Sequence, residues 1–582
     1  MSYKQEYERW LHSDALSPAE HAELERIAGD EKEIENRFYG PLEFGTAGLR
    51  GTMKVGLHQM NIHVIRWATQ GFANVIAAEG EEAKKKGVAI CMDCRNNNML
   101  FSHAAAEVCA ANGIHVRIFE SLRPTPELSF AVRYYGCQAG INVTASHNPK
   151  EYNGYKVYWS DGAQLPPQHA DAIAAQLEKI DIFTGIKRMD FDEAVQKGLI
   201  TMLGVDCDER FMANVMSMVN DYDTVRKVSG DFKLVYTPFH GCGYKLVPEA
   251  LTKLGIKHLL CVPEQMVIDG DFPTVESPNP EERKTMSMAI DLAAKEGADL
   301  VLATDPDSDR IGVALRNKKG EYVLLNGNQT LVLLMSYQLT RWAERGELDG
   351  NQYVVKTIVT SQMANAVADH FKVKCYDCLT GFKYIARIIR NNEGKATYIG
   401  GGEESFGYLA GDYVRDKDAV SACSLAAEAA AWAMDTMGLT LYEWLQELYV
   451  KYGFYREGLV SVVRKGKEGA ELIQKMMVDF RANPPKTLAG SPVTAIKDYL
   501  DLNATDLING NVSKLDFPTT SNVLQFFNAL GDKVSIRPSG TEPKIKFYVE
   551  VREPLKDAAD YEATVEKADK HIDAILKDLK IQ

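Results

Sequence analysis

The sequence lacks any apolar run of the roughly 20 residues that a membrane-spanning helix requires. Its first residues, MSYKQEYERWLHSD, are too charged for a signal peptide. Cysteine is also scarce, since 10 thiols in 582 residues cannot form the dense disulfide framework of a small secreted domain. Proline, glycine and serine show no excess that would indicate disorder. These absences lead us to expect a folded, reduced, cytoplasmic protein.

Positive charge is in deficit. The formal net charge of -14 at pH 7 disfavours nucleic acid and acidic membrane surfaces as partners, because both would be repelled. A small anionic substrate is compatible with this charge if a few arginines and lysines converge locally. We therefore expect a small-molecule partner, no nucleic acid and no membrane.

What the chain does contain is a repeated alternation of short apolar strands and amphipathic helices. VAICMDC, MLFSHAAAEVCAAN and IHVRIF make one β-α-β unit, and the order recurs from KLVYTPF to KHLLCV and from QYVVKTIVT to VKCYDCL. Such alternation predicts largely parallel sheets covered by helices. Because single cores stop growing at roughly 250 to 300 residues, we expect three similar mixed α/β domains.

The two ends of the chain differ from this plan. The start is predicted to form two helices, with Ser17 as the cap of SPAEHAELERIAGDEKEIENRF. At the other end, VLQFFN, KVSIRPSG and IKFYVEVRE are strands, and YEATVEKADKHIDAILKDLK is one long helix. This order predicts a smaller C-terminal α+β domain. The expected domains are 1–206, 207–325, 326–455 and 456–582.

Two Cys-x-x-Cys pairs offer a zinc site as an alternative use of the thiols. Cys91 with Cys94 and Cys375 with Cys378 could in principle supply four thiolates. Each pair straddles the end of an apolar strand, and nothing around them resembles a zinc ribbon. We therefore interpret these cysteines as packing at strand ends.

A polar loop with a serine, TASHNP at residues 144–149, follows strand-like residues of the run GINVTA. Ligands of open α/β sheets bind beyond the carboxyl ends of the strands, so Ser146 is placed to react. Ser, Asn and Pro are also common turn residues, and a polar turn that caps a helix is the alternative. The loop alone does not decide between them.

Three aspartates, Asp305, Asp307 and Asp309, alternate in the loop after ADLVLAT. Carboxylates this close would repel one another without a cation, and hard oxygen ligands suit Mg2+. An EF-hand loop needs Gly and Glu where this chain has Arg310 and Arg316. The loop therefore predicts a magnesium site of another kind.

Two further loops combine glycine with polar groups. In GEESFG at 402–407, carboxylates and a hydroxyl suit the hydroxyls of a sugar, although an acidic helix N-terminus is an equal alternative. In RPSGTEPK at 537–544, Arg537, Lys544, two hydroxyls and backbone N–H groups form an oxyanion nest suited to phosphate.

These four loops, in this order, resemble those of the α-D-phosphohexomutase superfamily. GTAGLRG at 45–51 and NGYK at 153–156 extend the resemblance over nearly the whole chain. It implies three similar α/β domains and a smaller fourth domain around a central active-site cleft. It further implies that Ser146 is phosphorylated and that Ser146, Asp305, Asp307 and Asp309 hold Mg2+.

The resemblance also implies roles for residues outside the metal site. The implied catalytic residues are Ser146, His147, Lys156, Arg50 and Lys417. The implied substrate-binding residues are Glu403, Ser405, Thr380, Gly381, Arg310, Arg537, Ser539, Gly540, Thr541 and Lys544.

The implied reaction is that of a phosphoglucomutase, with glucose 1,6-bisphosphate as intermediate and activator. The GEESFG form favours glucose over mannose. GTAGLRG and the helical extension look like a branch that includes phosphopentomutases and glucose 1,6-bisphosphate synthases, so phosphopentomutase and phosphomannomutase stay as alternatives. A metal-dependent sugar phosphatase and a silent sugar-phosphate binding protein are alternatives of other classes. A monomer or a homodimer is expected.

Overall fold

The computed structural model describes residues 2–45, 48–464, 466–539 and 544–581. The strands of these residues form four sheets, which follow one another along the chain. The first three sheets mix parallel and antiparallel strands. Strands of the fourth sheet pair only antiparallel within the described residues. Three mixed α/β domains followed by an α+β domain are thereby confirmed.

The first sheet has the strand order β1-β5-β4-β2-β3-β6. Its strands are β1 Leu49–Thr52, β2 Val88–Met92, β3 Val116–Phe119, β4 Ala139–Val143, β5 Tyr152–Trp159 and β6 Ile200–Leu203. The accompanying helices are α1 Tyr3–Leu11, α2 Pro18–Arg26, α3 Glu31–Phe38, α4 Ile62–Ala78, α5 Glu81–Lys86, α6 Asn98–Ala111, α7 Thr125–Tyr134, α8 Pro167–Leu177 and α9 Phe191–Gln196.

The second sheet has the order β11-β10-β9-β7-β8. Its strands are β7 Lys233–Thr237, β8 His258–Cys261, β9 Leu300–Thr304, β10 Ile311–Arg316 and β11 Tyr322–Leu324. The helices of this part are α10 Val205–Ser217, α11 Tyr222–Val228, α12 Gly243–Leu254 and α13 Ser287–Glu296.

The third sheet has the order β13-β12-β14-β15. Its strands are β12 Gln352–Thr357, β13 Lys374–Cys378, β14 Thr397–Glu403 and β15 Gly407–Ala410. Its helices are α14 Gly327–Glu344, α15 Met363–His370, α16 Phe382–Asn392, α17 Ala419–Trp432 and α18 Leu441–Tyr452.

The fourth sheet runs β16-β23-β22-β21-β18-β19-β20, with β17 beside β18. Its strands are β16 Phe454–Val463, β17 Thr487–Leu488, β18 Ser491–Asp498, β19 Asn503–Asp506, β20 Val512–Lys514, β21 Leu524–Asn528, β22 Lys533–Pro538 and β23 Lys544–Glu553. Two helices belong to this part, α19 Gly466–Ala482 and α20 Tyr561–Asp578, within the described residues.

The N-terminal extension differs from the prediction. It holds three helices rather than two, because the second predicted helix breaks after Arg26 and restarts at Glu31. The Asp30 side chain accepts the N–H of Glu33 and caps the restarted helix. Ser17 caps α2 as predicted, in a capping box with Glu20.

The fold places the four predicted loops at strand ends. Ser146 follows β4, Asp305 follows β9, Glu403 ends β14, and Arg537 is the last residue but one of β22. One core cluster of buried side chains contains residues of all four sheets, which fixes the parts of the chain against one another. Among the described residues, no helix is both long and apolar enough to cross a membrane.

Candidate active site

The serine loop brings the Ser146 hydroxyl against the aspartate loop. Ser146 is buried, with Oγ 2.7 Å from Asp305 Oδ2 and 3.2 Å from His147 Nδ1. Its backbone has a φ of 51°, a left-handed conformation that is uncommon outside glycine and clusters at functional sites. The Ser146 hydroxyl of the first domain therefore contacts the acidic loop of the second.

An arginine that the sequence analysis missed holds the serine loop in this shape. Both Nη atoms of Arg95 donate to backbone carbonyls, which are those of Ser146, Asn148, Pro149 and Tyr152, at 2.5 to 2.9 Å. Arg95 Nε lies 3.3 Å from Asp93 Oδ2, and the same carboxylate accepts the Thr144 hydroxyl. The signal was present, because Asp93 and Arg95 follow the end of β2 as the other loops follow their strands.

The aspartate loop forms a compact buried group. One ligand oxygen from each of Asp305, Asp307 and Asp309 lies within 4.8 Å of the others. Burial, followed by the negative charge of the neighbouring carboxylates, raises the pKa of Asp305 and of Asp309. Asp307 differs, because burial there is outweighed by the charge and hydrogen bond of Lys156, which lower its pKa. The negative charge of Asp305 and Asp309 is therefore the part of the cluster that its surroundings do not offset.

The donor set of this cluster fits a divalent cation. Asp307 Oδ1 and Asp309 Oδ1 are buried and have no hydrogen-bond partner in the described part of the chain. Buried carboxylate oxygens without partners are costly, and a hard cation such as Mg2+ binds oxygen ligands of this kind. The Ser146 hydroxyl contacts this group of carboxylates through Asp305. A phosphoryl group on Ser146 Oγ would therefore bring a further oxygen ligand to the cation.

Two lysines flank the aspartates. Lys156 Nζ lies 2.7 Å from Asp307 Oδ2, and Lys417 Nζ lies 3.0 Å from Asp309 Oδ2 and 3.1 Å from Asp416 Oδ1. Burial alone would lower the pKa of each lysine, but the adjacent carboxylates outweigh it and raise the pKa of both. Both lysines are therefore cations at neutral pH.

The other side of the serine loop carries Arg50 and His147. Arg50 Nη1 donates to Asn148 Oδ1 at 3.0 Å. Burial, then the charges of Arg310 and Arg50, lower the pKa of His147 well below its ordinary value, so the ring is neutral. His147 can therefore accept or donate one hydrogen bond at Ser146 without adding charge.

The sugar-loop residues adjoin this cluster. Glu403 Oε1 accepts the N–H of Gly381 at 2.8 Å, and Gly381 has a φ of 112° that favours glycine. Burial raises the pKa of Glu403, while Lys417 and Arg310 are close enough for their charges to oppose the rise. Thr380 and Ser405 are half-buried beside these residues in sequence. Glu404 turns away to the hydroxyls of Thr357 and Thr360.

The fourth loop approaches from the last domain. The N–H of Ser539 donates to the carbonyl of Lys544 at 2.8 Å, which joins the end of β22 to the start of β23. Burial and the nearby charge of Arg537 lower the pKa of Lys383 on α16, so the arginine faces the third domain. Gly540 and Thr541 lie outside the described residues.

The two Cys-x-x-Cys pairs do not form a group of potential metal ligands among the described residues. All ten cysteines are free thiols, and Cys91 and Cys378 lie on strands of different sheets. The group of potential metal ligands found among the described residues contains aspartates and no cysteine.

Comparison with known proteins matches four parts of one family, in order along the chain. The matches are to "Phosphoglucomutase/phosphomannomutase, alpha/beta/alpha domain I" at residues 41–182, domain II at 209–320, domain III at 326–452 and the C-terminal domain at 488–568.

Curated relatives and solved structures agree with these matches. A phosphoglucomutase of Staphylococcus saprophyticus is 35% identical over 520 residues, covering 89% of this chain and 92% of that protein. One of Staphylococcus aureus is 34% identical over 529 residues, covering 90% and 92%. The fold of parafusin, a phosphoglucomutase of Paramecium, matches with a TM-score of 0.65 at 20% identity, covering 93% of this chain and 96% of the other. Since these matches extend over most of its length, the chain belongs to the phosphoglucomutase/phosphomannomutase family.

Proposed function

We propose that this enzyme interconverts glucose 1-phosphate and glucose 6-phosphate through phosphorylated Ser146 and a glucose 1,6-bisphosphate intermediate. The observation that supports it most is the 2.7 Å contact between the Ser146 hydroxyl and Asp305 in a buried aspartate cluster. The two Staphylococcus relatives are named for this activity, and they match 89% and 90% of this chain.

The first transfer breaks the bond between phosphorus and Ser146 Oγ and forms a bond from phosphorus to a sugar hydroxyl oxygen. The proton that this hydroxyl loses is balanced by the proton that Ser146 Oγ regains. Asp305, Asp307 and Asp309 would hold Mg2+, which when bound offsets the negative charge of the phosphoryl group. Lys156 and Lys417 orient two of these carboxylates and keep positive charge beside them. In the second transfer, Ser146 Oγ bonds to the phosphorus at the other end of the sugar and the bond from that phosphorus to the sugar oxygen breaks. The proton that Ser146 loses is balanced by the proton that the freed sugar oxygen gains.

Substrate binding is proposed for the remaining predicted residues. Glu403, Ser405, Thr380 and Gly381 would bind the sugar hydroxyls, because carboxylate, hydroxyl and backbone groups meet there. Arg310 and the RPSGTEPK loop, with Arg537, Ser539, Gly540, Thr541 and Lys544, would bind the phosphate that is not being transferred. A glucose bisphosphate carries two phosphates, and each would be bound by a different group of cations. Lys156 and Lys417 form one group, and Arg310, Arg537 and Lys544 form the other.

Turnover of glucose 1-phosphate, with Mg2+ and a trace of glucose 1,6-bisphosphate, tests the proposal. Ser146→Ala is expected to remove activity, whereas Ser102→Ala, a buried serine on α6, is expected to keep it. The proposal is wrong if Ser146→Ala retains full activity. Rates on glucose, mannose and ribose 1-phosphates establish the sugar, and release of inorganic phosphate at the turnover rate would instead identify a phosphatase.

A further inference from the structure

The aspartate at the centre of the cluster has two oxygens with different surroundings. Asp307 Oδ2 accepts hydrogen bonds from Lys156 Nζ at 2.7 Å and from the Thr125 hydroxyl at 2.7 Å. Asp307 Oδ1 has no partner in the described part of the chain. The first oxygen is therefore held by the protein, and the second remains for a cation.

Thr125 reaches Asp307 twice. Its backbone N–H donates to the Asp307 carbonyl at 2.8 Å, in addition to the bond from its hydroxyl. Thr125 is the first residue of α7 and lies between two prolines, Pro124 and Pro126, which restrict the backbone there. The N-terminus of a helix in one domain thus fixes the side chain and the backbone of the metal loop in the next.

The proton of the Thr125 hydroxyl has a defined direction. A hydroxyl carries one proton, and a carboxylate can only accept it. Asn142 Nδ2 lies 2.7 Å from Thr125 Oγ1 and fills the acceptor side of the hydroxyl. Asn142, Thr125 and Asp307 are all completely buried, so water does not compete for these bonds. The order of donation is therefore from Asn142 to Thr125 to Asp307.

From this chain of contacts we propose that Thr125, oriented by Asn142, is a positioning residue that presents Asp307 Oδ1 to the divalent cation. The inference rests on the proposed metal site. Lys156 alone cannot fix the carboxylate plane, because a single ammonium allows rotation about its contact, whereas a second donor from another direction prevents it. Loss of a residue that hydrogen-bonds a metal ligand typically weakens metal binding by about 10- to 100-fold.

Direct titration of the purified enzyme with Mn2+, followed by the spin-resonance signal of the free ion, tests the inference without turnover. Thr125→Val keeps the shape of the side chain and removes the hydroxyl, so Mn2+ is expected to bind about 10-fold more weakly. Thr125→Ser keeps the hydroxyl and is expected to bind within about twofold of the unchanged enzyme. At saturating Mg2+, the KM for sugar phosphate should stay near its original value in both variants.

Thr69→Val is the matched control. Thr69 is a completely buried threonine on α4 whose hydroxyl bonds the Ile65 carbonyl and the Tyr155 hydroxyl rather than an aspartate. The Thr69→Val variant should unfold at a lower temperature than the unchanged enzyme and bind Mn2+ with the same affinity. Equal Mn2+ affinity in Thr125→Val and the unchanged enzyme, or equal losses in Thr125→Val and Thr125→Ser, would overturn the inference. If the unchanged enzyme and Asp307→Asn bind Mn2+ alike, the proposed metal site itself is wrong.

Discussion

Replacement of Arg95 by methionine is expected to disable the enzyme through the shape of the serine loop. Arg95 is 3% exposed, and its guanidinium serves four carbonyls of residues 146 to 152 and the carboxylate of Asp93. Methionine fills similar space along the stem but donates nothing. The Ser146 carbonyl then loses its donor, and the Asp93 carboxylate loses its cation while it keeps the Thr144 hydroxyl.

The size of the effect follows from the contacts. Breaking a buried ion pair by removing one partner costs about 3 to 5 kcal/mol. Because the loop can relax to recover part of this, we expect a loss at the lower end, about 3 kcal/mol, with Ser146 displaced from Asp305. A displacement of about 1 Å at a reacting group can lower the rate about 100-fold. We therefore expect kcat to fall by about that factor.

The assay is kcat for glucose 1-phosphate beside thermal unfolding, with Arg37→Met as the control. Arg37 is also buried and bonds Glu23, Glu33 and the Val55 carbonyl, in the N-terminal extension. It should lose comparable stability and keep most of its activity. Arg95→Lys, which retains charge and three donors, should fall between Arg95→Met and the unchanged enzyme. The reasoning is refuted if Arg95→Met keeps kcat within about threefold.

Two further predictions concern a glycine and a buried acid. A Cβ at Gly407 would lie 2.0 Å from Lys417 Cδ, so Gly407→Ala should displace Lys417 from Asp309. Steady-state kinetics should then show kcat lowered at least about 10-fold. An unchanged kcat would contradict this prediction. Burial raises the pKa of Glu428 to about 7. The folded state therefore binds a proton that the unfolded state releases, and its stability falls as pH rises from about 4.5 through about 7. Glu428→Gln should remove this loss of stability. The unfolding temperature of the variant minus that of the unchanged enzyme should therefore be larger at about pH 8 than at about pH 5.5. A difference that does not change with pH would contradict the prediction.

The sequence predicted the parts of the site that lie in continuous motifs. Ser146 and the alternating aspartates each follow an apolar strand, and parallel sheets align such strand ends at one edge. The structure brings Ser146, after a strand of the first sheet, into contact with Asp305, after a strand of the second. This contact joins two domains, so the alignment of strand ends within one sheet does not predict it. The repeat of three α/β domains was also predictable, because the periods of strands and helices are local properties of the chain.

Other features depend on contacts between residues far apart in the chain. The position of Arg95 after β2 marked a candidate loop, but a local pattern does not specify its partners. Arg95 matters because it reaches carbonyls more than 50 residues away in the chain, and Thr125 because its partner is 182 residues away. Neither residue differs locally from an ordinary polar residue near a strand end or a helix start. The break at Asp30 was readable, since an Asp followed three residues later by Glu33 is a common helix start.

The most direct measurement is the intact mass of the purified enzyme after incubation with glucose 1,6-bisphosphate and Mg2+. The unchanged enzyme should gain one phosphoryl group, and peptide mapping should locate it at Ser146. Addition of excess glucose 1-phosphate should then transfer the group to the sugar. Ser146→Ala should gain nothing. An unchanged mass in an active enzyme, or a phosphoryl group on another residue, would contradict the proposed mechanism.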